Sequence, residues 1–239
     1  MGANAGAGRH RSPTPDLYRG RLSSMKALLE QLDALPPGDA VFDLDNTLLV
    51  GDIGEATLRR LLHRLPPRAA SLLGTTDPWG AYEALAARDW CAAGDVAAQA
   101  LAGLSPEEVQ ALGTDVLEKG EVRLNPHTVE LARQLSRRHR VWILTGSAEL
   151  LGRVAASRMG IEHVVGMRLR EEHGRLTDEL LPPCTCGEGK VKATRQLISE
   201  RPVFAIGDSP TDLPILRLAA VARTLGKISG REFPALEAP

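Results

Sequence analysis

The chain has 239 residues, 43% of them hydrophobic, with 29 Lys and Arg against 30 Asp and Glu and a formal net charge of −1. That length suits one or two domains with a sizeable core, and the charge balance excludes bulk electrostatic attraction to nucleic acid or to an anionic membrane. Three cysteines, Cys91, Cys184 and Cys186, are too few for a disulfide framework, and no apolar run approaches the ~20 residues of a membrane span, so the expected setting is a reducing cytoplasm.

The opening "MGANAGAGRHRSPTPD" lacks an apolar stretch and reads as a disordered tail over residues 1–20. Leu22, Met25, Leu28, Leu29 and Leu32 then fall at helical spacing, and Pro36-Pro37-Gly38 stops that helix. "AVFDLD" is a short strand. Residues 51–120 carry no convincing strand and predict an inserted bundle of roughly four helices. One ends at Pro66-Pro67. One runs through "TDPWGAYEALAARDWCAAG", with Asp77 as N-cap and Pro78 at its first position. Another opens on the capping box Ser105 and Glu108. In this segment Trp79, Tyr82 and Trp90 share one helical face, either packing the bundle or lining a pocket that holds an ammonium by cation–π attraction. Cys91 reads as a small helix hydrophobe.

Strand and helix then alternate. "NPHTVELARQLSRRH" is a helix, "RVWILTG" a buried strand, "SAELLGRVAASRMG" a helix and "EHVVG" a short strand. "MRLREEHGRLTDEL" alternates around Gly174 as a hairpin. "EGKVKATRQLISE" is a helix, "PVFAIGD" a strand, "SPTDLPILRLA" a helix and "AAVAR" the last strand, leaving residues 231–239 loose. This order predicts an α/β core from residues 21–50 and 121–230, a parallel sheet with helices on both faces, and a helical cap over 51–120.

Sites in open α/β sheets form beyond the carboxyl ends of the strands. Here "VFDLD", "VWILTGS" and "VFAIGDSPTD" all end in polar groups. The period-two spacing of Asp43 and Asp45 aims both side chains one way. With Asp208 they form a set that repels itself unless a cation neutralises it, and hard oxygen donors suit Mg²⁺. Cys184-Thr185-Cys186 supplies only two of the usual four zinc ligands, so no metal is expected there.

In this order the residues resemble the haloacid dehalogenase superfamily. "DLDNT" is similar to its D-x-D-x-T motif, Thr145 to its second motif, Lys190 to its third and "GDSPTD" to its fourth, across roughly residues 40–223. The helical insert after the first motif resembles the cap of the phosphoserine-phosphatase-like branch. The resemblance implies a Rossmann-like three-layer α/β/α core with a small C1-type cap. It implies that Asp43 is a nucleophile forming an aspartyl-phosphate, and that Asp45 is general acid, then base. Lys190, with Lys192 as the alternative, would balance phosphate charge. Thr145 and the Gly146 backbone would bind phosphate. Asp208, Asp43 and the Asp45 carbonyl would ligate Mg²⁺, with Asp212 in support. Asp52 stands where that branch has a substrate-contacting Glu, and is either a contact to an amine or hydroxyl or a helix cap. The branch's cap segment with paired arginines is missing.

The implied activity is a Mg²⁺-dependent phosphatase of a small phosphomonoester, phosphoserine-like or an amino-alcohol phosphate such as phosphocholine. A phosphotransferase or mutase using the same intermediate, or a non-catalytic binding module, is the alternative. The expected partner is a small phosphorylated metabolite, not nucleic acid or membrane.

Overall fold

The computed structural model describes residues 22–74, 76–228 and 232–236. The tail expected over residues 1–20 lies outside them. In chain order the described elements are β1 (Leu22–Ser23), α1 (Met25–Asp33), β2 (Asp39–Phe42), β3 (Leu49–Val50), α2 (Ile53–Leu61), α3 (Pro67–Leu73), α4 (Pro78–Arg88), α5 (Trp90–Gln99) and α6 (Pro106–Glu118). They continue as β4 (Arg123–Leu124), α7 (Pro126–Leu135), β5 (Arg140–Ala148), α8 (Glu149–Met159), β6 (His163–Glu172), β7 (Arg175–Leu181), α9 (Glu188–Leu197), β8 (Phe204–Gly207), α10 (Leu213–Leu218), β9 (Val221–Thr224) and β10 (Ala235–Leu236). The architecture is α/β, with a mostly parallel eight-stranded sheet flanked by helices.

The strand order is β1-β10-β9-β8-β2-β5-β6-β7, and only the β6–β7 pair is antiparallel. The central strand β2 is buried at all four residues, as a parallel strand covered on both faces must be. Its Phe42 meets Phe204 edge-to-face at 5.5 Å, joining neighbouring strands through the core. Phe42 is in register with Ile143 of β5 and Ile206 of β8. The residues that follow in all three strands therefore emerge together at one edge of the sheet, and these are Asp43, Thr145 and Asp208.

After β2 the chain makes one wide turn over Leu44–Leu48, with Asn46 in the left-handed region at φ 56°. Asn tolerates that conformation better than most residues. The Asn46 N–H donates to the Gly51 carbonyl at 3.0 Å, which closes the turn and sends the chain into α2. β3 and β4 pair antiparallel, so the exit to α2–α6 and the return from them run side by side. These five helices pack on the core through α6 against α8 and α5 against β5 and β7. Gly103 and Leu104 add backbone bonds to Leu176 of β7 at 2.7 and 2.8 Å.

Five expectations change. The single helix through residues 77–94 is two, because Asp89 accepts from the Ala92 N–H at 3.0 Å and caps α5 afresh. The insert accordingly has five α-helices rather than four. The short strand and hairpin at 162–181 are one long strand, β6, paired with β7 around His173 and Gly174, both at positive φ. The C-terminus is not loose throughout, since Ala235–Leu236 joins the sheet between β9 and β1, and Leu22–Ser23 is an edge strand rather than the start of α1.

Candidate active site

At the sheet edge Lys190, from the first turn of α9, reaches between two acids. Its Nζ lies 2.7 Å from Asp43 Oδ1 and 2.5 Å from Asp212 Oδ1. Lys190 is 2% exposed, Asp43 8% and Asp212 1%. Burial alone lowers an ammonium's pKa, but the two carboxylates outweigh it and hold Lys190 charged above its usual range. Lys192, the sequence alternative, makes none of these contacts among the hydrogen bonds and ion pairs described. Burial, then the charge of Asp212, pushes Asp43 well above the usual carboxylate range against the pull of Lys190.

Asp212 is held on its other oxygen as well. Oδ2 accepts from the backbone N–H groups of Asp208 at 3.2 Å and Ser209 at 3.0 Å, and from Ser209 Oγ at 3.0 Å. It shapes the loop that presents Asp208. Gly207 is required there, because a Cβ would stand 2.5 Å from Asp212 Cγ. Carboxylate oxygens of Asp43, Asp208 and Asp212 lie within 4.8 Å of one another. Buried, oxygen-only and more anionic than one lysine can balance, this set fits a hard divalent cation such as Mg²⁺. Asp43 and Asp208 face the cavity and would hold it, with Asp212 engaged behind them.

Asp45 has a separate set of partners. Its Oδ1 accepts from the Ile53 N–H at 2.9 Å, and its Oδ2 accepts from Thr145 Oγ1 at 3.0 Å and Ser147 Oγ at 2.8 Å. Burial raises its pKa while these three donors oppose the rise. Thr145, expected to bond phosphate, gives its hydroxyl hydrogen to Asp45 and accepts from the Ser147 N–H at 2.9 Å. Ser147 was missed in the sequence, although its position two residues past Thr145 on the same strand put it on the same face. Gly54 lies against this set, because a Cβ on it would come within 2.6 Å of Ser147 Oγ.

A cavity of about 900 Å³ opens in front of these groups, roofed by α2, α4 and α5. Gly146 and Asp52 line it. Of its two expected roles, Asp52 takes that of the helix cap. It caps α2, accepting from the Glu55 N–H at 2.8 Å, and it faces the cavity. Burial, then the charge of Asp45, pushes its pKa well up. Glu55 and Tyr82, neither singled out in the sequence as polar site groups, are hydrogen-bonded to each other on this wall. Burial, then Asp52 and Glu55, raises the Tyr82 phenol above its usual range. Trp79 packs on Tyr82 with ring centroids 5.1 Å apart and carries the Arg59 guanidinium 3.5 Å from its centroid. Trp90 lines the cavity from α5.

The cysteine reading is overturned. Cys91 of α5 and Cys186, which lines the cavity, form a disulfide with Cα atoms 5.6 Å apart across 95 residues of sequence. Cys184 is the free, exposed thiol. Among the described residues, no helix is long and apolar enough to cross a membrane.

Known proteins were compared with this geometry. A structure from Bordetella pertussis Tohama I, of a protein with unknown function, is 19% identical with a TM-score of 0.67, covering 85% of this chain and 99% of its own. A substrate-bound phosphoserine phosphatase is 15% identical with a TM-score of 0.59, covering 85% of this chain and 94% of its own. A phosphoserine phosphohydrolase-like protein from Francisella tularensis subsp. tularensis SCHU S4 is 17% identical with a TM-score of 0.57, covering 78% and 86%. At these identities the likeness is one of fold. No curated protein matches the chain. The sequence profile of the haloacid dehalogenase-like hydrolases matches residues 40–217, from the strand that carries Asp43 to the helix behind Asp212, and the chain belongs to that family.

Proposed function

We propose that the protein is a Mg²⁺-dependent phosphatase of a small phosphomonoester, working through an aspartyl-phosphate on Asp43. The observation that carries this reading is the division of labour between the two motif aspartates. Asp43 is paired with a buried ammonium beside further carboxylates, while Asp45 is held among hydroxyl and amide donors. A carboxylate at the first position needs no base to attack phosphorus. Bound Mg²⁺ would supply charge neutralisation at the phosphoryl oxygens.

Asp43 attacks phosphorus as the bond to the leaving oxygen breaks, and Asp45 delivers its proton to that oxygen. Asp45 then accepts a proton from water, whose oxygen attacks phosphorus and releases Asp43 and inorganic phosphate. Lys190 holds Asp43 in line and balances the incoming charge. The Gly146 backbone lines the cavity where the phosphate would sit, and Thr145 lies behind it, bonded to Asp45. Burial raises the Asp45 carboxyl above its usual range against the pull of its three donors, which is the direction a general acid needs.

Asp52, Glu55 and Tyr82 give the far wall an acidic and aromatic character. This supports a substrate with a cationic head, phosphoserine-like or an amino-alcohol phosphate. Arg59 already rests on Trp79, so the reading favours an ammonium that donates hydrogen bonds over one held only by an aromatic cage. The setting proposed is the cytoplasm, where disulfides are characteristically catalytic or redox-sensing.

The test is phosphate release from phosphoserine, phosphoethanolamine, phosphocholine, glycerol phosphates, sugar phosphates and nucleotides, with Mg²⁺ and with chelator, beside Asp43→Asn. Turnover that needs Mg²⁺ and vanishes in the variant is expected, highest on the amine-bearing esters. Folded protein silent across the panel would overturn the reading.

A further inference from the structure

We propose that Cys91–Cys186 is a reversible thiol–disulfide exchange site, reduced by a small dithiol, that pins the mouth of the cavity and sets the turnover rate. The bond does not staple the buried core. It joins the first turn of α5 in the cap to the loop that begins α9, and both ends carry groups of the active site. On the α5 side, Trp90 is the next residue and lines the cavity, and Gly94, one turn on, comes so near the phosphate loop that a Cβ would stand 3.5 Å from the Gly146 carbonyl. On the α9 side, the Cys186 and Gly187 carbonyls accept the N–H groups of Gly189 at 2.9 Å and Lys190 at 3.0 Å. The sulfur therefore sits at the root of the turn that places Lys190.

The rest of the cap is held by other means. Gly103 and Leu104 bond to β7, and α6 packs on α8. Since α5 also packs on β5 and β7, opening the disulfide loosens the α4–α5 edge of the roof without releasing it, and leaves the cap docked at its far side. That edge is built mostly of small residues: α5 reads WCAAGDVAAQ, and its buried side is Ala93, Val96, Ala98 and Gln99. Little apolar area replaces the covalent tie when it is cut.

The exchange balances within the protein and one dithiol. A thiolate of the dithiol attacks Cys91 Sγ, the less buried of the pair, and Cys186 leaves as a thiolate. The second thiol of the reductant closes on the mixed disulfide. Two electrons and two protons reach the protein, which then has two new thiols, and the dithiol leaves as its disulfide. Oxidised, the protein holds Trp90 over the mouth and Lys190 in place, which slows entry and release. Reduced, it opens that edge and turns over faster.

The probe is dithiothreitol, reduced or oxidised, on the full chain. Thiol counting after denaturation is expected to give three thiols in the reduced state and one, Cys184, in the oxidised state. Amide hydrogen exchange is expected to rise on reduction over residues 90–99 and 186–190, with residues 106–118 unchanged. Phosphomonoester turnover, a readout that rests on the phosphatase reading, is expected to rise about three- to tenfold, since lid opening often limits kcat. Cys91→Ser and Cys186→Ala should each match the reduced state and ignore the dithiol, and Cys184→Ser should still switch.

Three thiols under both conditions, or a counted change from one to three without a change in exchange, would overturn the proposal. So would equal turnover in the two counted states of an active enzyme. Inactivity in both states with the exchange change intact would instead count against the phosphatase reading and leave the exchange site standing.

Discussion

The core wall of the cavity and its cap wall are built on different plans. On the core side Asp43, Thr145, Lys190, Asp208 and Asp212 are all buried, none more than 8% exposed, and each extends from a strand end or a first helical turn. On the cap side Arg59, Glu83 and Arg88 are exposed, Trp79 and Trp90 half-buried, and all stand on short helices. Register between three parallel strands fixes the first set to within hydrogen-bonding distances. The second set hangs from helices of the inserted bundle, one of them tied to the core side by a disulfide. Chemistry common to every phosphomonoester belongs on the first plan, and selection among leaving groups belongs on the second.

Removing the cation from the core wall is the hardest break. Lys190→Met leaves Asp43 and Asp212 buried without their shared ammonium. Breaking a buried pair costs about 3–5 kcal/mol. In a chain of this size that lowers Tm by about 6–20 °C, at about 2–4 °C per kcal/mol. Turnover should fall about 10³-fold on all substrates alike, and added Mg²⁺ should restore part of the lost Tm. Calorimetry beside phosphate release checks it. A variant that lost activity on one ester and kept it on another would erase the division between the walls.

Ser147→Ala tests the same wall more gently. It removes one of three donors to Asp45 and leaves Thr145 and the Ile53 N–H. A lost hydrogen bond to a charged group is worth about 1.5–3 kcal/mol. The expected outcome is a drop of about ten- to hundredfold in kcat with KM little moved, because on the proposed mechanism Ser147 orients the proton carrier rather than the substrate. Steady-state kinetics on the best ester decides it, and Ser147→Thr, which keeps the hydroxyl, should recover part of the loss.

That serine also marks where reading the chain stopped short. Asp43, Asp45 and Asp208 were legible because strand ends in an α/β sheet converge and charged residues at the end of an apolar run have few structural reasons to be there, whereas Thr145, Lys190 and Asp212 were picked out by their motif positions in the family resemblance. Ser147 obeyed the same period-two rule but falls outside the motif positions that carry the resemblance. The Cys91–Cys186 bond was illegible for a different reason. Its partners are 95 residues apart, and three cysteines allow several pairings until the fold brings two together. The acid-and-phenol contact of Glu55 and Tyr82 depends on how α2 meets α4, which no local pattern encodes. Strand β10 has two residues, too few to show a period.

Glu55→Gln moves to the cap wall. The change keeps the side-chain shape and the cap of α2, whose donor is the Glu55 backbone, and removes one charge facing Tyr82 and Asp52. Its expected effect is on preference: kcat/KM falls about tenfold on amine-bearing esters, about 1.4 kcal/mol, and hardly moves on glycerol phosphate. A ratio that stays fixed while both rates fall together would mean the cap wall shapes the chemistry as well as the choice.

The smallest effect is expected at Asp89, and it tests why the cap is segmented at all. No glycine or proline separates α4 from α5, and "AARDWCAAG" would otherwise run on as one helix. The Asp89 N–H donates to the Leu85 carbonyl at 2.7 Å, so α4 closes on this residue, while its side chain accepts from Ala92 N–H and opens α5 in a new direction. Asp89 has extended geometry, φ −145° and ψ 91°, which alanine adopts with no cap to hold it. Asp89→Ala should cost about 1 kcal/mol, a shift of about 2–4 °C in Tm, measured on the oxidised protein so that Cys91 stays tied. Near-ultraviolet circular dichroism should change with it, because Trp79 lies in α4 and Trp90 in α5, and straightening the joint swings one ring against the other. With the disulfide reduced the same substitution should cost less, since the edge it supports is then already loosened.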